Sequence, residues 1–149
     1  MTDCVIRPAT PADLPACAAI INAYIDATDW LPRQHSHDAI AAFFSAGILE
    51  TRQVFVADRG GAIQGYASFN PGTRFLSALY LRPEARGYGI GKALLDAVKA
   101  VAPSGFTLTV WQPSHRARQF YQREAFSVTG EGTDEDGLPV WHMRWGEAA

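Results

Sequence analysis

The stretch Leu79-Tyr80-Leu81-Arg82-Pro83-Glu84-Ala85-Arg86-Gly87-Tyr88-Gly89-Ile90-Gly91-Lys92 constrains this chain more than any other. An apolar strand runs through a glycine-rich turn into a helix, in which Ile90, Leu94, Leu95, Val98 and Val101 recur at helical spacing until Pro103-Ser104-Gly105 ends it. Such a turn captures anions. Glycine removes the Cβ atoms that would hold a ligand off, and the unpaired N–H groups at the helix start, with the positive end of its dipole, face what enters. Phosphate oxygens are the natural guest, and Arg86 and Lys92 add full positive charges at the rim. Spacing separates the candidate glycine loops. A dinucleotide fingerprint begun at Gly87 needs glycine where Lys92 stands, and a Walker loop ending in Gly91-Lys92 needs glycine at Arg86 and a hydroxyl at Ala93. What remains is R-x-x-G-x-G over Arg86, Gly89 and Gly91, between a strand and a helix.

The rest of the chain supplies the elements around that turn. Val5 to Arg7 reads as a strand; Thr10, Pro11 and Asp13 then signal a helix start, with Leu14, Cys17, Ala18, Ile21 and Ile25 on one face. Ser36 caps a second helix carrying Ile40, Phe43 and Phe44 and ending near Gly47, so Trp30 to His35 connects two helices. Val54 and Val56, the turn Arg59-Gly60-Gly61 and the run Ile63 to Phe69 form a hairpin, followed after Asn70-Pro71-Gly72 by a strand over Phe75 to Leu81. Past the glycine turn and its helix come a strand Phe106 to Trp111, a helix Ser114 to Glu124, and strands Phe126 to Gly130 and Val140 to Trp145. The order βααβββαβαββ predicts one α/β (α+β) domain over residues 1–149: a mixed, mainly antiparallel sheet of about seven strands with about four helices on its two faces.

Composition excludes several classes. Thirteen basic against fifteen acidic residues, spread evenly, leave no surface for nucleic acid. The first ten residues carry no apolar block, and the longest apolar stretch, Ala16 to Ile25, is half of the roughly 20 residues a membrane span needs. Cys4 and Cys17 form neither a disulfide framework nor a metal cluster, so no metal is expected and a reducing, cytoplasmic setting is.

In the order and spacing of its motifs the chain resembles the GNAT superfamily of acetyl-CoA-dependent N-acetyltransferases. IRPATPADLPA is similar to the usual start of that family, LYLRPEARGYGIGKALL to its cofactor motif, TLTVWQPSHRARQFYQREAF to the strand and helix that follow, and GEGTDEDGLPVWHMRW to the C-terminal hairpin of small bacterial-type members. The resemblance implies acetyl-CoA as cofactor and transfer of its acetyl group to a primary amine by direct attack in a ternary complex. It implies that Leu79, Tyr80 and Leu81 bond the pantetheine arm, that the Leu81 N–H stabilises the oxyanion, and that the turn formed by Arg86, Gly87, Tyr88, Gly89, Ile90, Gly91 and Lys92 covers the pyrophosphate. Ser114 stands where the family has asparagine in N-x-x-A-x-x-F-Y. Tyr121 matches the tyrosine that protonates the departing thiolate, a workable donor because thiol and phenol differ by only about 1.5 pKa units. Ala125 replaces the glycine usual before Phe126.

Other readings stay open beside these. Tyr121 can fill core instead; His35 and His37 flank a capping serine; Glu131, Asp134, Glu135 and Asp136 form a solvated turn or attract a cationic amine. Ser77 and Ala78 stand where other members keep a carboxylate, leaving the general base to water or an unassigned group. Trp30 and His35 are the candidates for substrate contact in the helix connection, and Trp111 lines the cleft at the end of its strand. The acceptor is a small-molecule or peptide amine, and a homodimer through sheet edges or the C-terminal hairpin is the assembly the family suggests. The alternative is a non-catalytic acyl-CoA-binding or regulatory module that kept the turn and lost the chemistry.

Overall fold

The computed structural model describes residues 4–147. Its seven strands are β1 (Val5–Pro8), β2 (Gln53–Arg59), β3 (Ala62–Asn70), β4 (Phe75–Leu81), β5 (Gly105–Trp111), β6 (Ser127–Thr133) and β7 (Pro139–Gly146). They form one sheet in the order β1-β2-β3-β4-β5-β7-β6. Every neighbouring pair is antiparallel except β4 and β5, as the helical crossover between them requires. The helices are α1 (Leu14–Asp26), α2 (His37–Phe43), α3 (Ile48–Thr51), α4 (Ile90–Val101) and α5 (His115–Arg123).

The central strands are covered on both faces, and their side-chain alternation divides the core. Val54 and Val56 of β2 and Tyr66 of β3 join Cys17 and Ile20 of α1 on one side. Phe55, Ala57, Ala67 and Phe69 point the other way, onto Ile90, Leu94, Leu95 and Val98 of α4 and Tyr121 of α5. A run apolar at every position, such as Val54 to Ala57, marks a strand of this kind. Gly65 lets α4 and β4 close on β3: a Cβ built there would meet the Leu81 side chain and lie 2.9 Å from the Tyr80 carbonyl oxygen.

Two local expectations are corrected. The second helix ends at Phe43 rather than near Gly47, because Phe44 leaves helical geometry and sets its ring edge-on to Tyr66 at 5.6 Å. The chain then forms the single turn α3, which makes five helices rather than about four. Pro15 falls in the first turn of α1, where no N–H is needed.

The start of α1 is tied to the sheet by charge. Arg7 of β1 donates to both Asp13 oxygens, at 2.7 and 3.0 Å, and to Asp58 at 3.1 and 3.2 Å, while the Thr10 N–H donates to Asp13 at 2.8 Å. The Arg7 hydrogen bonds, above all, pull the Asp13 carboxyl down to about 2. A carboxyl depressed in the folded state stabilises the fold above its ordinary titration range, and the contribution disappears as pH falls through the folded value. Urea unfolding at pH 6 and at pH 2 should therefore show the native protein losing about 2 kcal/mol more stability than Asp13→Asn over that interval; equal losses would show that the pair contributes nothing.

Candidate active site

The parallel contact between β4 and β5 is short. Only Phe75 pairs with Thr107 and Leu76 with Leu108. Beyond those pairs the strands part, helped by a bulge in which Ser77 is the extra residue of β4 opposite Ser68 and Phe69 of β3. The edge of β4 so freed carries backbone groups that no strand satisfies. The Arg82 N–H donates back across the sheet to the Gln64 oxygen at 2.9 Å. Strand alternation then turns the N–H groups of Leu79 and Leu81 the opposite way, into the gap.

Two clefts open from this gap. One, of about 750 Å³, runs past Leu79, Tyr80, Leu81, Arg86 and Gly91 and along Ser114, His115, Arg116, Phe120 and Tyr121 of α5 and its start, with Trp30 and Asp29 of the α1–α2 connection above. The other, of about 710 Å³, lies between the parted strands and the β6–β7 turn, bordered by Ser77, Trp111, His35, His142, Asp134, Glu135 and Asp136. Tyr24, Leu79, Tyr80, Ser114, Ala117 and Tyr121 line both, so the clefts meet at a common wall.

The turn itself has the form its sequence predicts. Gly87 and Gly89 take φ of +87° and +80°, the left-handed region that glycine enters without strain. No atom lies within 4 Å of where a Cβ on either would stand, so the space over the turn is open. Gly89 caps α4, and the first intrahelical bond runs from the Ala93 N–H to the Gly89 oxygen. The N–H groups of Ile90, Gly91 and Lys92 therefore have no acceptor within the helix. An open cradle, unpaired amides and Arg86 beside them suit a pyrophosphate. Of the remaining predicted turn residues, Ile90 is buried in the core below the turn and Tyr88 is half exposed. The Lys92 ammonium pairs with Asp96 at 3.3 Å and Glu124 at 3.2 Å, which offsets the positive charge it brings to the rim of the turn.

Tyr121 sits at the common wall, only 8% exposed, its ring edge-on to Phe120 and Phe126. Its hydroxyl makes no hydrogen bond among the described residues. Burial, with a smaller contribution from Tyr24, holds that hydroxyl protonated well above the usual phenol range, and Tyr80 beside it is raised the same way. The hydroxyl therefore stands neutral in the cleft wall. Trp111 is fixed by its indole N–H, which donates to Asp134 at 2.8 Å, and by Trp30, edge-on at 6.0 Å. Burial works to raise the Asp134 carboxyl, but the Trp111 N–H and the backbone amides of Leu138, Asp136 and Gly137 outweigh it and hold it below the ordinary range. His35 reaches across the mouth of the second cleft to Asp136 at 3.9 Å. Sequence reasoning missed Tyr24, whose ring lies 5.0 Å from Tyr80 and stacks on Trp111 at 6.3 Å. It belongs to no motif, and only its position one turn beyond Ile20 and Ile21 hinted that it faces the sheet. Among the described residues no three His, Cys, Asp or Glu side chains gather as metal ligands, and no helix is long and apolar enough to cross a membrane.

Comparison with known proteins agrees with this geometry. The chain is 33% identical over 146 residues to the peptidyl-lysine N-acetyltransferase YiaC of Escherichia coli K12, covering 95% of this chain and 96% of that one. Its fold superposes on apo YjaB from Escherichia coli with a TM-score of 0.77 at 22% identity, over 97% and 98% of the two chains. On the phosphinothricin acetyltransferase of Sinorhizobium meliloti, solved in complex with AcCoA, the TM-score is 0.75 at 24% identity, over 99% and 91%. Residues 21–146 match the model of the acetyltransferase (GNAT) domain, and with the relatives and the site geometry this establishes that the chain belongs to the GNAT acetyltransferase family.

Proposed function

We propose that the protein transfers the acetyl group of acetyl-CoA to the primary amine of a lysine side chain in a peptide or protein, by direct attack with both substrates bound. The observation that carries this reading is the common wall of the two clefts: a donor along the glycine turn and an acceptor entering between the parted strands meet beside Tyr121. Acetyl-CoA is the acyl donor of the family. In this chain the open turn at Gly87 and Gly89, with Arg86, would hold its pyrophosphate, and the inward N–H groups of Leu79 and Leu81 its pantetheine arm. The Leu81 N–H would receive the negative charge that gathers on the thioester oxygen. The amine, made neutral by losing one proton to water, forms its bond to the acetyl carbon, the carbon–sulfur bond breaks, Tyr121 protonates the departing sulfur, and the second proton of the nitrogen passes to water, from which Tyr121 regains its own.

A lysine acceptor is supported by the likeness to YiaC and by Glu135 and Asp136 at the mouth of the acceptor cleft, which favour a cationic group. Direct attack is supported by the cysteines. Cys17 of α1 is wholly buried with its thiol pushed up to about 12 by that burial, and neither Cys17 nor Cys4 borders either of the two clefts. Thiols kept reduced suit a cytoplasmic enzyme.

Initial rates measured with acetyl-CoA and a lysine-containing peptide test this reading. Intersecting double-reciprocal lines, with turnover retained when both cysteines become alanine, are expected; parallel lines would indicate an acyl-enzyme and overturn direct attack. Tight coenzyme A binding with no transfer to any amine would instead favour the non-catalytic binding module, which the serine at position 114 and the alanine at position 125 allow.

A further inference from the structure

An acyl group in transit must be reachable from the donor cleft and the acceptor cleft at once. On the reading just proposed, it therefore lies against Tyr24, Leu79, Tyr80, Ser114, Ala117 and Tyr121, the side chains common to both. Five of the six come from β4 or from α5 and its capping residue, the elements that hold the donor. Tyr24 alone comes from α1 and closes the junction from the opposite side. Its ring is not free to move aside. It is tilted against Tyr80 at 5.0 Å and stacked on Trp111 at 6.3 Å with an angle of 14° between planes. Trp111 in turn is fixed by Asp134 at 2.8 Å and by Trp30, and Tyr80 is partly buried and packed against Tyr66 at 6.0 Å. Closely packed rings of this kind yield little to an added methylene, because lengthening the acyl chain would require several side chains to shift together.

We propose that Tyr24 sets the acyl chain length this enzyme accepts, its ring forming the fixed wall that admits acetyl and excludes butyryl. The hydroxyl is not needed for this; the volume of the ring and its stacking are. A pocket wall that rejects methylenes discriminates by roughly tenfold or more for each one.

The test is a competition between acetyl-CoA and butyryl-CoA at equal concentration for one lysine peptide, with acylated products counted by mass spectrometry, alongside calorimetric binding of each thioester. The wild-type chain should prefer acetyl by about a hundredfold or more. Tyr24→Ala should bring the preference to within about tenfold, and Tyr24→Phe, which keeps the ring, should retain it. Because each protein is read as a ratio of two donors, a variant with partial loss of folded material still reports the preference. Wild-type protein that uses both donors equally, or Tyr24→Ala with an unchanged ratio, would overturn the assignment. The binding arm separates the two readings. A protein that binds acetyl-CoA over butyryl-CoA in the order given, loses that order in Tyr24→Ala and yet transfers neither group supports the wall and overturns acetyl transfer. Absence of coenzyme binding overturns both.

Discussion

Replacing Tyr121 by phenylalanine should lower kcat by about 10² to 10³ while leaving the Kd for acetyl-CoA and the melting temperature near their wild-type values. The substitution removes one oxygen. The ring contacts with Phe120 at 5.1 Å and Phe126 at 5.4 Å, which make Tyr121 part of the core, are as available to phenylalanine, and no hydrogen bond among the described residues is lost. What disappears is the proton for the departing sulfur, at the wall that the two clefts share. A uniform loss of binding would raise KM instead. The pH profile gives a second reading of the same group. Since burial, chiefly, and Tyr24 hold the hydroxyl protonated well above the ordinary phenol range, no fall in kcat that depends on Tyr121 should set in up to about pH 10. A Tyr121→Phe protein that turns over like wild type would return this residue to a purely structural role and leave the sulfur to be protonated by solvent.

The parts of this site legible in the sequence are those whose physics is local. The turn from Arg86 to Lys92 could be read because a strand, three glycines and a helix start follow one another within a few residues, and the structure gives Gly87 and Gly89 the positive φ that such a turn demands. The face of α4 was equally visible, since Ile90, Leu94, Leu95 and Val98 recur with the helical period and are all buried. Features that depend on distant partners left no such trace. Phe44 reads as the natural continuation of α2, and only Tyr66, in β3, draws it out of the helix. The bulge at Ser77 that parts β4 from β5 is a mismatch of register with β3, invisible within β4 itself. Lys92 reads as a free cation until Glu124, at the far end of α5, comes within 3.2 Å. Asp134 reads as one acid among several in a polar turn, and its bond to the Trp111 indole spans two strands. Ala125 is the opposite case: its φ of +74° shows that the chain does need the left-handed conformation at the position where the family resemblance implies glycine, and alanine holds it at a cost of about 1 kcal/mol.

Gly89→Glu should abolish measurable acetyl-CoA binding, and its argument turns on charge more than on shape. The backbone at position 89 has φ of +80°, so any side chain there is strained by about 1 kcal/mol or more. A Cβ would meet nothing in the protein, because the space it would occupy is the open cradle above the turn. Strain and partial filling together describe Gly89→Ala, for which a loss of about tenfold in affinity is expected. Glutamate adds a negative charge among the free N–H groups of Ile90, Gly91 and Lys92, where it would take the place of the ligand. Two like charges about 4 Å apart at an effective dielectric near 20 repel by about 4 kcal/mol, which is about a thousandfold in Kd. Gly89→Asn isolates the charge, since asparagine tolerates the left-handed region and is close to glutamate in polarity without being ionised. Calorimetric affinities should therefore fall in the order glycine, asparagine and alanine together, then glutamate far below, with all four proteins folded by circular dichroism. The salt dependence should move with them: on the proposed reading part of the attraction is between Arg86 and phosphate at the protein surface, so binding to the native turn should weaken as ionic strength rises. A folded Gly89→Glu protein with wild-type affinity would mean that the pyrophosphate lies elsewhere, and the donor cleft would then have to be sought away from the start of α4.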